Sequence, residues 1–199
     1  MNKNKINLSI SSVITTYVIL MGLFFYSCEN TITKSSDSNY EVVINEINYL
    51  SSNNFPKDWV ELYNPTNQTI AIGLWTLKDD NDGHVFTIPE NIILSANDFV
   101  VLCEDITAFE NLFPEVNNFI GDLGFGLSGG DEVRLFDSSG LLVDKVDYDD
   151  ENPWPGHPDE TVFTLALIHP SLDNDLAENW NAPIGNGTPG AENSVDDDE

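Results

Sequence analysis

The sequence predicts an all-β sandwich, and three observations predict it. Short runs of alternating or β-branched apolar residues recur along the chain, and polar turns rich in Gly, Asn and Asp separate them. Only one segment, ITAFENLF at residues 106–113, has helical spacing, and it stops at Pro114 because proline cannot continue a helix. Strands of this length at this spacing are typical of two packed antiparallel sheets.

The first two strands are predicted at residues 41–49 and 58–63. Strict alternation puts the odd-numbered residues of the first strand on one face and the even-numbered residues on the other. In the second strand the same rule separates Val60 and Leu62 from Trp59, Glu61 and Tyr63. Eight further strands are predicted at residues 69–72, 75–78, 84–88, 92–94, 99–103, 132–136, 142–148 and 162–167.

The amino terminus has the layout of an export signal over residues 1–27. Lys3 and Lys5 precede an apolar stretch that carries no charge, and that stretch is interrupted by threonines and falls short of the roughly 20 apolar residues of a spanning helix. It ends at Ser27 and Cys28 and so resembles a bacterial lipoprotein signal, in which Cys28 becomes acylated. An ordinary signal peptide and an uncleaved anchor are the alternative interpretations.

Two polar segments flank the predicted domain at residues 40–193. Residues 28–39 are rich in Ser and Asn and lack periodicity, which is typical of a flexible tether. Residues 194–199 form an acidic tail, which we expect to be disordered by self-repulsion.

The charge balance limits the classes of partner that we expect. The chain has 34 acidic and 7 basic residues, for a formal net charge of −27. Such a charge repels phosphate backbones, so we expect no nucleic acid partner and favour divalent cations or basic surfaces. Cys28 and Cys103 are the only cysteines, so no disulfide framework exists, and Cys103 is predicted to be a small buried apolar residue.

No local pattern indicates a catalytic residue. Residues 126–130 match the G-x-S-x-G pattern of a hydrolase nucleophile, but that pattern acts where a strand turns into a helix, and a strand follows here. Ser128 is therefore interpreted as a turn or strand-edge residue. The three histidines, at positions 84, 157 and 169, have no spacing typical of metal ligands.

One acidic hairpin is a candidate cation site. Asp79, Asp80 and Asp82, with an asparagine between them, supply the oxygen ligands that calcium prefers. The segment does not have the EF-hand pattern, and a solvated hairpin is the other interpretation. Weak calcium binding is the only cofactor prediction. Further acidic clusters lie at residues 147–151 and 173–175.

An ordered set of segments resembles the lamin tail domain. The set consists of INEI at 44–47, DWVELYNPT at 58–66, WTLKD at 75–79, FVVL at 99–102, LSGGDEVRL at 127–135, DKVDY at 144–148, Trp154-Pro155, Asn179-Trp180 and GTPGAEN at 187–193. The resemblance implies an immunoglobulin-like β-sandwich over residues 40–193. It also implies a domain that serves protein contacts.

These observations favour a binding module over an enzyme. We expect a lipoprotein held through Cys28 at the bacterial outer membrane or cell surface, with an envelope protein or a polysaccharide as its partner. Two alternatives stay open. One is a hydrolase or nuclease-accessory protein that uses the acidic loops and a divalent cation, and the other is a structural subunit of an envelope assembly.

Overall fold

The structure is a computed structural model that describes residues 42–49, 57–156 and 162–194, and its strands confirm the all-β sandwich. In chain order the elements are β1 (Val43–Asn48), β2 (Trp59–Tyr63), β3 (Ile70–Ala71), β4 (Thr76–Lys78), β5 (Phe86–Thr87), β6 (Ile93–Leu94), β7 (Phe99–Cys103), α1 (Ile106–Leu112), β8 (Phe119–Gly121), β9 (Asp131–Phe136), β10 (Leu142–Tyr148), β11 (Leu165–Leu167), a 3₁₀ turn (Ala177–Asn179) and β12 (Trp180–Asn181).

Two main sheets make the sandwich. The first has six strands in the order β12-β11-β1-β2-β7-β8, and the second has four in the order β10-β9-β4-β5, while β3 and β6 form a small ribbon. In the described residues β8 runs parallel to β7, and the other strand pairs are antiparallel. None of the described helices is both long enough and apolar enough to span a bilayer.

The main core joins side chains of both sheets. Removing these apolar side chains from water is the dominant stabilising term of such a domain. The contributors from the six-stranded sheet include Ile44, Ile47, Val60, Leu62 and Leu102, and those from the four-stranded sheet include Leu77, Val133, Leu135 and Val146.

A second apolar cluster joins helix α1 to the other face of the six-stranded sheet. Trp59 of β2 packs edge-on against Phe109 and Phe113, with ring centroids 6.3 and 6.2 Å apart. The helix begins at Asp105, whose side chain accepts the backbone N–H of Ala108, and it ends just before Pro114 as predicted.

Cys103 belongs to the second cluster and is buried, as predicted. Burial raises the pKa of its thiol to about 12, and the charge of Asp122 adds to the effect. A thiol in this environment is protonated and unreactive at neutral pH.

A β-bulge makes the strict alternation predicted for β1 wrong. Ile44 pairs with Leu62 and Glu46 pairs with Glu61, so Asn45 is the extra residue of the bulge. Ile44 and Ile47 therefore both lie in the core. The bulge also places the side chains of Glu46 and Glu61 next to each other on the opposite face of the sheet, because directly paired residues project to the same side.

Several predicted segments differ from the structure or lie outside it. Strands β8 and β12 were not predicted, and the strand predicted at residues 84–88 is limited to Phe86–Thr87. The described residues do not include the signal at residues 1–27, Cys28, the tether at 28–39, His157 or the tail beyond Ser194.

Candidate ligand-binding groove

The closing segment, residues 187–193, is held on the six-stranded sheet by two buried carboxyl groups. The backbone N–H of Thr188 donates to Oε1 and Oε2 of Glu46 at 3.2 and 3.1 Å. The backbone N–H of Gly190 donates to Oε2 of Glu61 at 2.6 Å. Both acids are fully buried, so these bonds form in a medium where they are stronger than in water.

Glycine is required where the closing segment begins. Gly187 has a φ of +82°, and a Cβ atom placed there would lie 2.5 Å from Oε1 of Glu46 and 2.9 Å from Cγ2 of Thr164. A side chain would therefore meet both backbone strain and a steric clash. The close approach of the backbone at this position allows the next residue to reach the carboxyl group.

Burial changes the titration of both acids. It raises the pKa of Glu46 to about 7, against the opposing effect of hydrogen bonds that include one donated by Thr164 Oγ1 at 2.5 Å. It raises the pKa of Glu61 to about 8, where the bonds from Gly190 and Asn45 oppose the shift and the charge of Glu46 adds to it. Both groups therefore exchange protons near neutral pH.

Asparagines at each end of the network tie the closing segment to the sheet. Asn45 Nδ2 donates to Glu61 Oε1 at 2.8 Å and to Asn193 Oδ1 at 3.2 Å. Asn193 Nδ2 donates to the backbone oxygens of Asn45 and Leu167, both at 2.9 Å. The bulge residue Asn45 is thus the link between the buried acids and the end of the closing segment.

A groove of about 290 Å³ lies beside this network. Its aromatic component is a stacked pair, Tyr63 of β2 and Phe99 of β7, with ring centroids 4.4 Å apart and an angle of 23° between the planes. The polar side chains that line it are Asn45, His169, Glu192 and Asn193. A second depression of about 490 Å³ shares Phe99 and is bordered by the closing segment.

The exposed His169 forms one rim of the groove. Its Nδ1 accepts the backbone N–H of Ser171 at 3.2 Å and lies 2.7 Å from Oγ of the same serine. In the neutral ring the proton therefore lies on Nε2. Glu192 is also exposed and supplies a carboxylate to the groove.

The predicted calcium ligands lie away from the groove and are partly separated from one another. Asp79 and Asp80 come together with Asp131 of β9, and one carboxylate oxygen of each lies within 4.8 Å of the others. Asp79 Oδ2 lies 2.6 Å from His84 Nδ1. The carboxylate of Asp82 instead lies 3.1 Å from Nη1 of Arg134.

Calcium ligation by Asp79, Asp80 and Asp82 therefore stays a prediction, with Asp131 as a neighbour that the sequence pattern did not single out. The carboxylate oxygens of Asp131 already accept the backbone N–H groups of Asp80 and Ser128, at 3.2 and 3.1 Å. These bonds give the buried Asp131 a structural role in closing the hairpin against β9.

Ser128 lies in a loop before β9, as the turn interpretation predicted. Its Oγ donates to the backbone oxygen of Gly130 at 2.9 Å. His84 pairs with Asp79 as described above, while His169 lies on the groove, so the two described histidines serve different sites.

Sequence reasoning missed the groove, although part of its signal was present. The alternation of β2 put an acid, Glu61, and an aromatic residue, Tyr63, on the face opposite Val60 and Leu62, and in the structure the half-buried Tyr63 also packs against the main core. Nothing in the local pattern connects them to Asn193, because only the fold brings the closing segment to that face.

A family model described as Lamin Tail Domain matches residues 35–150, which include β1 to β10 with Glu46, Glu61 and Tyr63. A comparison with curated proteins finds no match.

Proposed function

Since this chain belongs to the lamin tail domain family, we propose that it is an envelope-anchored binding module that recognises a protein or a polysaccharide. Recognition takes place in the groove beside the closing segment, and no bond in the partner is made or broken. The domain presents the groove, and the amino-terminal segment holds the domain at the membrane.

The stacked aromatic pair in the groove is the observation that carries this proposal. Tyr63 and Phe99 are half-buried and line a concavity together with a few polar side chains. Ligand sites combine aromatic surface with a small number of positioned polar groups in this way. The network of Glu46, Glu61 and Asn193 fixes the neighbouring backbone, so the groove is formed before a partner arrives.

The anchor belongs to the same proposal. Acylation of Cys28 would attach the chain to the membrane, and residues 28–39 would let the domain stand away from the bilayer. Labelling cells with a palmitate analogue tests this step. We expect label on the wild-type protein and none on Cys28→Ala, which should also be released from the membrane fraction.

Capture from envelope extracts tests the binding function. Immobilised wild-type protein should enrich a protein or a polysaccharide above an immobilised unrelated protein of equal net charge. Tyr63→Ala should lose that enrichment, whereas Phe136→Ala should keep it, because Phe136 is a half-buried aromatic residue of β9 outside the groove. Equal capture by wild type and Tyr63→Ala, or no capture above the charge-matched control, would contradict the proposal.

A further inference from the structure

We propose that the groove binds the side chain of an arginine residue that a protein partner presents to it. This inference rests on the proposed binding function and names the chemistry of the partner. It is carried by the hydrogen-bonding capacity left in the groove, by the charge around it and by the shape of its aromatic surface.

The two amide side chains that line the groove have no donors left for a ligand. Both hydrogens of Asn45 Nδ2 are used, toward Glu61 Oε1 and Asn193 Oδ1. Both hydrogens of Asn193 Nδ2 are used, toward the backbone oxygens of Asn45 and Leu167. An amide carries only two such hydrogens, so neither side chain can donate to a ligand. Asn193 Oδ1 already accepts from Asn45 Nδ2 and, at 3.5 Å, from Thr188 Oγ1.

The charge of the groove also favours a cationic ligand. Glu192 adds an exposed carboxylate, and no lysine or arginine is among the described residues that line the groove. Tyr63 can accept as well as donate through its hydroxyl, and His169 supplies one donor when neutral. The chain as a whole carries a formal charge of −27, which attracts a cation toward the surface.

The guanidinium group complements this environment better than other ligand groups do. It has five donors and no acceptor, it is always charged, and its plane can stack on the face of Tyr63 or Phe99 that the other ring does not cover. A lysine ammonium has the charge but not the plane. A sugar hydroxyl both donates and accepts, and with no donor available from the amides of Asn45 and Asn193, Tyr63 and His169 are left to donate to it.

The size of the groove fits one side chain. Its volume of about 290 Å³ lies just below the roughly 300–1,000 Å³ typical of small-molecule pockets. A single residue on an exposed loop or extended segment can therefore enter it while the partner's backbone stays outside.

Calorimetric titration of the full mature chain with short capped peptides tests the inference. We expect Gly-Arg-Gly to bind, and its citrulline counterpart, which keeps the shape and loses the charge, to bind at least about tenfold more weakly. Gly-Lys-Gly should be intermediate. Glu192→Gln and Tyr63→Leu should each weaken arginine binding several-fold, whereas Glu178→Gln should not, because Glu178 is exposed and lies outside the groove.

Each outcome separates this inference from the proposed function. Equal affinity for the arginine, lysine and citrulline peptides would overturn the inference, and so would arginine binding that Tyr63→Leu leaves unchanged. Binding of a neutral oligosaccharide such as chitotriose that depends on Tyr63 would also overturn it, while the binding function would stand. Failure of envelope capture with intact, Tyr63-dependent arginine binding would instead count against the proposed envelope partner and for the arginine site.

Discussion

Raising the pH from 5.5 to 8.5 should destabilise the domain through Glu61 more than through any exposed acid. Burial raises the pKa of Glu61 from 4.5 to about 8. Between these two values the folded chain keeps a proton that the unfolded chain has released. The unfolded state then binds fewer protons than the folded state, so the free energy of unfolding falls as the pH rises.

The magnitude follows from the pKa difference. Each pKa unit corresponds to about 1.4 kcal/mol, so the shift of Glu61 is worth about 5 kcal/mol in total, of which about 3 kcal/mol is lost between pH 5.5 and 8.5. Glu46, with a pKa raised to about 7, acts in the same direction. Because the charges of the two acids interact, their effects do not add in full.

Urea unfolding of wild type and Glu61→Gln, followed by tryptophan fluorescence, measures this effect. Between pH 5.5 and 8.5, the free energy of unfolding of wild type should fall by about 3 kcal/mol more than that of the variant. The glutamine also disturbs one hydrogen bond, but that cost is the same at every pH, so it lowers the whole curve and does not account for the difference in slope. Glu178→Gln, an exposed acid, should keep the wild-type slope. Parallel slopes for wild type and Glu61→Gln would refute the reasoning.

Three further predictions concern the packing of the sheet faces. Gly187→Ala should lower the free energy of unfolding in urea by about 2–4 kcal/mol, because the added Cβ would lie 2.5 Å from a buried carboxylate oxygen. Gly140 has a similar φ but no atom within 4 Å of the added Cβ, so Gly140→Ala should lower it by only about 1–2 kcal/mol. Phe109→Ala should cost about 3–5 kcal/mol by removing the aromatic contact of α1, and an unfolding midpoint equal to wild type would contradict it. In a Cys28→Ala background, Cys103 should react with a thiol reagent only after denaturation, and rapid labelling of the native protein would show that the thiol is accessible.

The fold class could be predicted from local patterns because a strand and a helix differ in hydrophobic period. Pro114 indicated where the one helical segment stops, since α1 ends at Leu112, and the alternation of β2 correctly placed Val60 and Leu62 in the main core. The bulge at Asn45 could not be predicted, since it depends on the register with β2 and not on the residues of β1 alone. Strand β8 was missed for the same reason, because its pairing with β7 is a contact between distant segments.

The candidate site was less predictable than the fold. The acidic hairpin was visible because Asp79, Asp80 and Asp82 are neighbours in sequence, yet Asp131 joins that group only through sheet pairing. The groove combines residues of β1, β2, β7, the loop after β11 and the closing segment. A carboxylate within an apolar strand, such as Glu61, signals either a solvated face or a buried partner, and only the fold decides between them.

Photo-crosslinking in the native envelope tests the central claim that the groove is the recognition surface. Benzoylphenylalanine at Ile168, which lines the groove, should give a discrete adduct with an envelope component. The same probe at Leu141, on the β9–β10 hairpin, is the matched control, because both side chains are 38% exposed. We expect an adduct from position 168 that is absent from position 141 and is lost with Tyr63→Ala. No adduct from position 168, or the same adduct from both positions, would contradict it.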